Sequence, residues 1–404
     1  MKKILAGLDV GTSKVCALVA ECSTEGDLAL LGYGLAPCAG LRKGVVVNIE
    51  ATVEAIRAAL REAEKTAAVR IGAVIVGIAG AHIRGLNSHG IVAVRGGEVG
   101  ARDVERVIDA ARAVAIPLDR EVLHVLPQQF AVDDQEGVRD PIGMAGVRLE
   151  ARIHIVTAAQ SYSQNLAKCC ERAGASPTEM VFEPLAAANA ALFAEERELG
   201  VALVDIGGGT TGVIVFHGGT VMHAVVLPVG GSHVSADVAT GLRTPLAEAE
   251  QLKIAYGAST VRVVGQDESV RVAGVGGREP RPIARRLLAE IIGPRMEEIL
   301  TLVRRELERS GAFQNLVSGV VLVGGTSLLE GTQELAEQVF NLPIRRGLPA
   351  NLAGMPEDLM KPMYATAAGL VLHGAHAAPG AGFGKPGRLG RLRTLMGEWV
   401  REFF

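Results

Sequence analysis

The sequence predicts an α/β protein of two related halves, and three observations predict it. Residues 7–14 read Gly-Leu-Asp-Val-Gly-Thr-Ser-Lys between the apolar runs 4–8 and 15–20. Residues 203–211 read Leu-Val-Asp-Ile-Gly-Gly-Gly-Thr-Thr, with apolar runs at 201–204 and 213–216. Each segment is a strand, an aspartate, a glycine turn, a hydroxyl and a second strand. Asp9 and Asp205 therefore hold matching places about half a chain apart, as a duplicated unit would place them. The third observation is the order strand, helix, strand over residues 28–79, in which 73–79 is a continuous apolar run of the kind buried in a parallel sheet.

The glycines make both segments tight hairpins, because only glycine takes positive φ without strain. With no side chains in the way, the backbone N–H groups of such a turn suit phosphate oxygens. The aspartate at the rim stands where the water shell of a magnesium ion would meet it. Taken singly, residues 203–211 fit an ordinary glycine-rich hairpin equally well. The pair fits two domains facing one phosphate chain.

Composition agrees with a large protein of several sub-domains, since 404 residues are too many for one core. A formal charge of −3 and a pI near 6.3 give no basic field, which argues against nucleic acid as a partner. The five cysteines (Cys16, Cys22, Cys38, Cys169, Cys170) form no Cys-x-x-Cys pair, and their odd number argues against a disulfide framework, so a reducing cytoplasm is expected. Nine histidines show no zinc-type spacing. Asp9 breaks the first apolar run too early for a signal peptide, and no window reaches the length of a membrane span.

After the first hairpin, 28–35 reads as a strand and 49–68 as a helix with Val53, Ile56, Leu60 and Ala63 on one face. From about 82 to 158 the pattern changes to a small α+β insertion, with strands at 90–94, 121–132 and 147–156 and a helix at 101–115. It carries no cofactor motif and no cluster of reactive residues, which suits an interaction module; His124 and His154 are expected as packed or surface residues. The main fold resumes with a helix at 161–173 and then Met-Val-Phe-Glu-Pro-Leu at 180–185, which opens an alanine-rich helix to Ala194. Glu183 falls at a strand end, just before a proline suited to the first helical turn. There it can orient an attacking water, or simply favour the helix dipole.

Beyond the second hairpin, 246–256 reads as a helix with Glu250 and Lys253 at i and i+3, which an exposed salt bridge explains as well as ligand binding does. A long helix is predicted over 283–307, eased at Gly293-Pro294. Residues 319–331 (Gly-Val-Val-Leu-Val-Gly-Gly-Thr-Ser-Leu-Leu-Glu-Gly) read as a buried strand, the glycine pair Gly324-Gly325 and a helix start. That order would aim N–H groups at a nucleotide.

In this order the Asp9 hairpin, the Glu183-Pro184 helix, the Asp205 hairpin, the Glu250/Lys253 helix, the Gly324-Gly325 loop and a closing helix at 364–373 resemble the five-motif order of the actin, Hsp70 and sugar-kinase ATPase superfamily. Two further stretches are more specific: Gly-Val-Val-Val-Asn-Ile-Glu-Ala-Thr at 44–52 and Pro-Ile-Gly-Met-Ala-Gly-Val-Arg-Leu-Glu at 141–150. With them, nearly the whole chain resembles the FtsA family of bacterial cell-division proteins. The resemblance implies an actin-like ATPase fold, two duplicated ribonuclease-H-like domains around a nucleotide cleft. It implies sub-domain 1A at 1–81, 159–197 and 358–374, and an inserted sub-domain 1C at 82–158 that replaces actin's 1B and contributes to filament contacts. Sub-domain 2A would fall at 198–235 and 319–357, and 2B at 236–318. The implied ligands are ATP and Mg2+. Asp9 and Asp205 would stand near the metal, through water. Gly11, Thr12, Lys14, Gly207, Gly208, Gly209 and Thr210 would meet the phosphates, Glu250, Lys253, Gly324 and Gly325 the nucleoside, and Glu183 the hydrolytic water.

The tail adds an independent signal. Residues 375–387 are Ala, Gly and Pro with little else, a tether whose reach as a glycine-rich coil is about 20 Å. Residues 388–404 place Leu389, Leu392, Leu395, Met396, Trp399, Val400, Phe403 and Phe404 at helical spacing in one stripe, with Arg388, Arg391, Arg393 and Arg401 off or beside it. Trp399 suits the headgroup layer. A helix packed back on its own domain would come with a short, anchored connection. The basic flank and loose tether instead favour an anionic lipid membrane. One such helix binds weakly, so stable attachment needs many copies in a polymer.

The expected function is therefore an ATP-binding, actin-like division protein that polymerises with itself on the cytoplasmic face of the cell membrane at the division site. By the resemblance it anchors the tubulin-like FtsZ there through 236–319, with Arg295 and Glu298 in the contact, and meets later division proteins through the insertion. Hydrolysis would be slow at most, because Glu183 is the only candidate base. A pilus-assembly actin-like protein would share the hairpins and insertion but not the tethered helix. A cytoplasmic ATPase of the superfamily is the other alternative: a sugar kinase would need a substrate-deprotonating aspartate between the lobes, which is not found, and an Hsp70-type chaperone a substrate domain where about thirty residues remain.

Overall fold

A computed structural model describes residues 3–23, 27–276, 279–350 and 352–376. Its two halves are each built on a five-stranded sheet with the same strand order. In the first, Lys3–Val10, Lys14–Cys22 and Leu28–Pro37 form an antiparallel meander; Ala73–Ile78 and then Ser176–Phe182 extend it in parallel from Lys3–Val10. In the second, Val201–Ile206, Thr211–His217 and Thr220–Leu227 form the meander, and Val320–Val323 and Ile344–Arg346 the parallel pair. The duplication inferred from two hairpins thus extends to all five strands, the expected α/β fold.

Helices cover these sheets closely. Ile49–Ala67 starts at Asn48, whose side chain accepts from the Ala51 N–H, and buries Val53, Ile56, Leu60 and Ala63. A buried aliphatic side chain of this size contributes about 1.5–3 kcal/mol. A Cβ on Gly34 would lie 2.0 Å from the Ala59 carbonyl oxygen, so the helix rests almost directly on the strand backbone. The alanine-rich helix Glu183–Ala191 and the closing helix Ala365–His376 meet in the same way, since a Cβ on Gly369 would be 1.7 Å from the Ala186 carbonyl. This contact fixes Glu183 and Thr366, one on each helix, in a single frame.

The insertion is a separate antiparallel sheet of Arg84–Ala93, Arg148–Ala159, Arg120–Val132 and Gln135–Val138, covered by the helix Ala101–Arg112 and with its own apolar core. Its first strand starts earlier than predicted, and its helix stops three residues sooner than 115. His124 and His154 are both buried in it.

Between the second hairpin and Val320–Val323 stand the helices Gly231–Leu242, Leu246–Tyr256 and Arg285–Arg309 and the small hairpin Ser269–Val272 with Arg281–Ala284. The long helix therefore begins later than the predicted 283, because Ile283 pairs with Val270 in that hairpin. Pro294 does not interrupt it, and Gly293 lets it approach Ser259, whose carbonyl would be 3.1 Å from an added Cβ. All five cysteines are free and buried. Among the described residues no helix is long and apolar enough to cross a membrane. The closing helix runs through His376; the rest of the predicted tether and the whole stripe from Arg388 to Phe404 lie outside the described residues.

Candidate functional site

The two hairpin turns face each other across a cavity of about 450 Å³. Asp9, Gly11, Thr12, Lys14, Glu183, Asp205, Gly207, Gly208, Thr210, Glu250, Lys253, Gly324 and Gly325 all line it. Gly209 does not; it sits where the tips touch.

The turn glycines are not there for positive φ, the conformational reason expected of them. Gly11, Gly207, Gly208 and Gly209 take no positive φ. What Gly208 and Gly209 provide is space: a Cβ on Gly209 would lie 2.5 Å from Thr12 Oγ1, and one on Gly208 3.2 Å from Ser13 Oγ. The hydroxyls of the first tip occupy room left by the glycines of the second. Among the glycines expected to meet the nucleotide, Gly324 takes positive φ, at +85°, and its Cβ would meet Asp205 Oδ1 at 2.4 Å.

Three of the carboxyl groups lining the cavity, Asp9, Glu183 and Asp205, have raised pKa values. Asp9 is the penultimate residue of the first strand and is buried, and burial holds its carboxyl above the usual range, opposed by Lys14. Asp205 accepts from Thr366 Oγ1 at 3.2 Å; burial first and then Asp9 push it up to about 6. Glu183, the first residue of its helix, is held well above the carboxylate range by burial, then by Asp9 and Asp205. Lys14 opposes all three, while its Nζ donates to the Met363 carbonyl at 2.8 Å and lies 5.2 Å from the Tyr364 ring centre.

The Glu250/Lys253 pair is no surface bridge. Lys253 is 6% exposed and its Nζ donates to Glu250 Oε2 at 2.8 Å and to the Gly231 carbonyl at 3.1 Å. The glycine pair leads into a single 3-10 turn, Gly325–Leu328, not directly into an α-helix. Thr326 Oγ1 donates from that turn to the Gly207 carbonyl at 2.9 Å, which ties the loop to the second hairpin.

Several lining residues carried no signal of their own. Ser13, Thr326 and Thr366 are short hydroxyls indistinguishable from surface ones, although Ser13 and Thr326 stand inside the Gly-Thr-Ser-Lys and Gly-Gly-Thr-Ser stretches. Arg285 reaches the cavity from the start of the long helix, held by Glu268 at 2.7 Å and Glu330 at 2.5 Å. Arg295 and Glu298 lie far along the same helix, outside the cavity lining. Arg295 Nε is 2.6 Å from Asp237, and its guanidinium also pairs with Glu298.

Comparison with known proteins follows the same lines. A family model described as "Cell division protein FtsA" matches residues 202–369, and one described as "SHS2 domain inserted in FTSA" matches 80–157. The chain is 50% identical to cell division protein FtsA of Pseudomonas aeruginosa, over 92% of this chain and 89% of that one. To the FtsA of Escherichia coli K12 it is 38% identical, over 99% and 96%. Among solved structures it resembles the PilM-PilN type IV pilus biogenesis complex (20% identity, TM-score 0.67, 92% of this chain and 98% of that one). It also resembles MreB5 of Spiroplasma citri bound to ADP (14%, TM-score 0.54, 91% and 94%), and these two share the actin-like fold. With half of its residues matched identically along nearly its whole length, the chain belongs to the FtsA family of cell division proteins.

Proposed function

We propose that the cleft binds ATP with Mg2+ and that the chain is the membrane adaptor of the division ring. The observation that carries the nucleotide reading is the crowding of Asp9, Glu183 and Asp205 beside Lys14. Burial raises all three carboxyl pKa values, and repulsion between neighbouring carboxylates adds to it at Glu183 and Asp205; a divalent cation would offset both costs. A structure of the same fold, MreB5, carries ADP. Asp9 and Asp205 would hold the ion through its water shell, and the turns around Gly11, Thr12, Gly207, Gly208, Gly209 and Thr210 would offer N–H and hydroxyl donors to phosphates. When bound, the magnesium ion would supply positive charge against these carboxylates. Glu250, Lys253, Gly324 and Gly325 bound the end that suits a nucleoside. Glu183, whose side chain lines the cavity, suits a base that accepts a proton from water, and hydrolysis would be slow because no second group assists it.

The sub-domain division given above, self-assembly, recruitment of later division proteins by the insertion and an FtsZ contact near Arg295 and Glu298 complete the proposal, supported by family membership. Attachment to the cytoplasmic face of the cell membrane rests on the apolar stripe of 388–404 with Arg388, Arg391 and Arg393 beside it. Co-sedimentation with anionic vesicles in ATP and magnesium tests it, comparing the full chain with one that ends at Gly387. The full chain should pellet and the shorter one stay in solution. If both pellet equally, or neither does, the stripe serves a protein contact.

A further inference from the structure

We infer that His124 is a positioning residue through which the inserted sub-domain holds Glu183 in place, an inference that rests on the role proposed for Glu183. Among the described residues, Ser176–Phe182 is the outermost strand of the first sheet and pairs with Ala73–Ile78 alone. On its outer side no strand can receive the Phe182 N–H, and a buried N–H without an acceptor is costly. His124 Nε2, from the insertion strand Arg120–Val132, accepts it at 2.9 Å in a buried setting. That nitrogen accepts only while the ring proton sits on Nδ1.

Phe182 is also the residue at which the strand turns into the helix Glu183–Ala191, and Pro184, two residues on, has no N–H to anchor. The bond from His124 therefore fixes the backbone one residue away from the carboxyl that faces the cavity. A second contact steadies the ring. His373 of the closing helix lies edge-on to His124, with ring centres 6.3 Å apart, and is 3.2 Å from Glu179 on the same edge strand. Three separate parts of the chain meet here: the insertion, the strand that delivers Glu183, and the closing helix. Space filling alone would not require a ring nitrogen at this point. A partner that shifts the insertion would move the acceptor of Phe182 and, with it, Glu183, so contacts made by the insertion act on hydrolysis without touching the nucleotide.

The test uses the full chain and two variants, His124→Leu, which removes the acceptor, and His124→Gln, which restores one at similar reach. Amide hydrogen exchange at Phe182 is measured in the nucleotide-free protein, and ATP affinity and single-turnover hydrolysis with magnesium in the loaded one. His124→Leu should speed Phe182 exchange roughly tenfold, the effect of losing one hydrogen bond. It should slow hydrolysis by a similar factor with ATP affinity within about twofold, and His124→Gln should recover both. Unchanged Phe182 exchange in His124→Leu overturns the inference. So does a parallel loss of affinity, hydrolysis and melting temperature that His124→Gln fails to rescue. Failure of the wild type to bind ATP would instead overturn the reading of the cleft, and the exchange measurement would still decide whether His124 holds Phe182.

Discussion

The two hairpins make the same turn with different chemistry. In each, the first glycine N–H donates to the carbonyl three residues on, Gly11 to Lys14 and Gly207 to Thr210, both at 2.9 Å. The residues between diverge. The first tip carries Thr12 and Ser13 where the second carries Gly208 and Gly209, and Lys14 stands where the second has Thr210. Hydroxyls on one side fit into bare backbone on the other, and the cation belongs to one side alone. Duplication supplied the cradle; divergence made its two sides complementary.

That contrast can be broken from either side. Lys14→Ala should have the largest effect, weakening ATP binding roughly a hundredfold as charge-assisted contacts are lost, whereas Thr210→Ala should cost under about tenfold. Calorimetric titration separates the two, and equal losses would mean that the hairpins are not specialised. Next comes Gly209→Val, which forces a side chain against Thr12 and the Lys43 backbone. Overpacking of this kind costs about 1–3 kcal/mol, so affinity should fall roughly thirtyfold while Gly72→Ala, where an added Cβ meets open space, leaves it unchanged.

Asp205→Asn sharpens the electrostatic half of the contrast. The folded pKa of Asp205 is raised from 3.8 to about 6. The native state therefore holds a proton that the unfolded state has released, and stability falls as pH rises through that window. Without nucleotide, Asp205→Asn should melt at the wild-type temperature near pH 4 and a few degrees above it at pH 7. A constant offset across this range would remove the charge argument. Smallest is Arg295→Ala, whose half-exposed pairs with Asp237 and Glu298 should change stability by under about 1 kcal/mol in chemical denaturation.

Much of this molecule was legible in its sequence, in proportion to how local the cause was. Hairpins, the helix Ile49–Ala67 and the buried strand after it are set by short-range patterns, and these stand in the fold. The strand Thr220–Leu227 was missed because its apolar alternation is broken, and Ile344–Arg346 because three residues make no pattern. Yet the duplication itself pointed to both, since Leu28–Pro37 and Ser176–Phe182 hold the equivalent places in the first sheet. The reason for Gly208 and Gly209 was not local: it lies in the opposite tip, about half a chain away. Likewise, i, i+3 spacing cannot tell a solvated pair from Glu250 and Lys253, because Lys253 is buried only once the helix Gly231–Leu242 packs beside it. Arg285 reaches the cavity by tertiary packing, which no motif encodes.

The most direct test of the shared site is an ATP titration of the full chain by calorimetry, with magnesium and with the ion chelated, repeated on Lys14→Ala. A single site that needs both the ion and the lysine is the predicted result. Binding of equal strength without magnesium and without the lysine, or no binding at all, would contradict a cleft built by the two hairpins to hold a magnesium nucleotide.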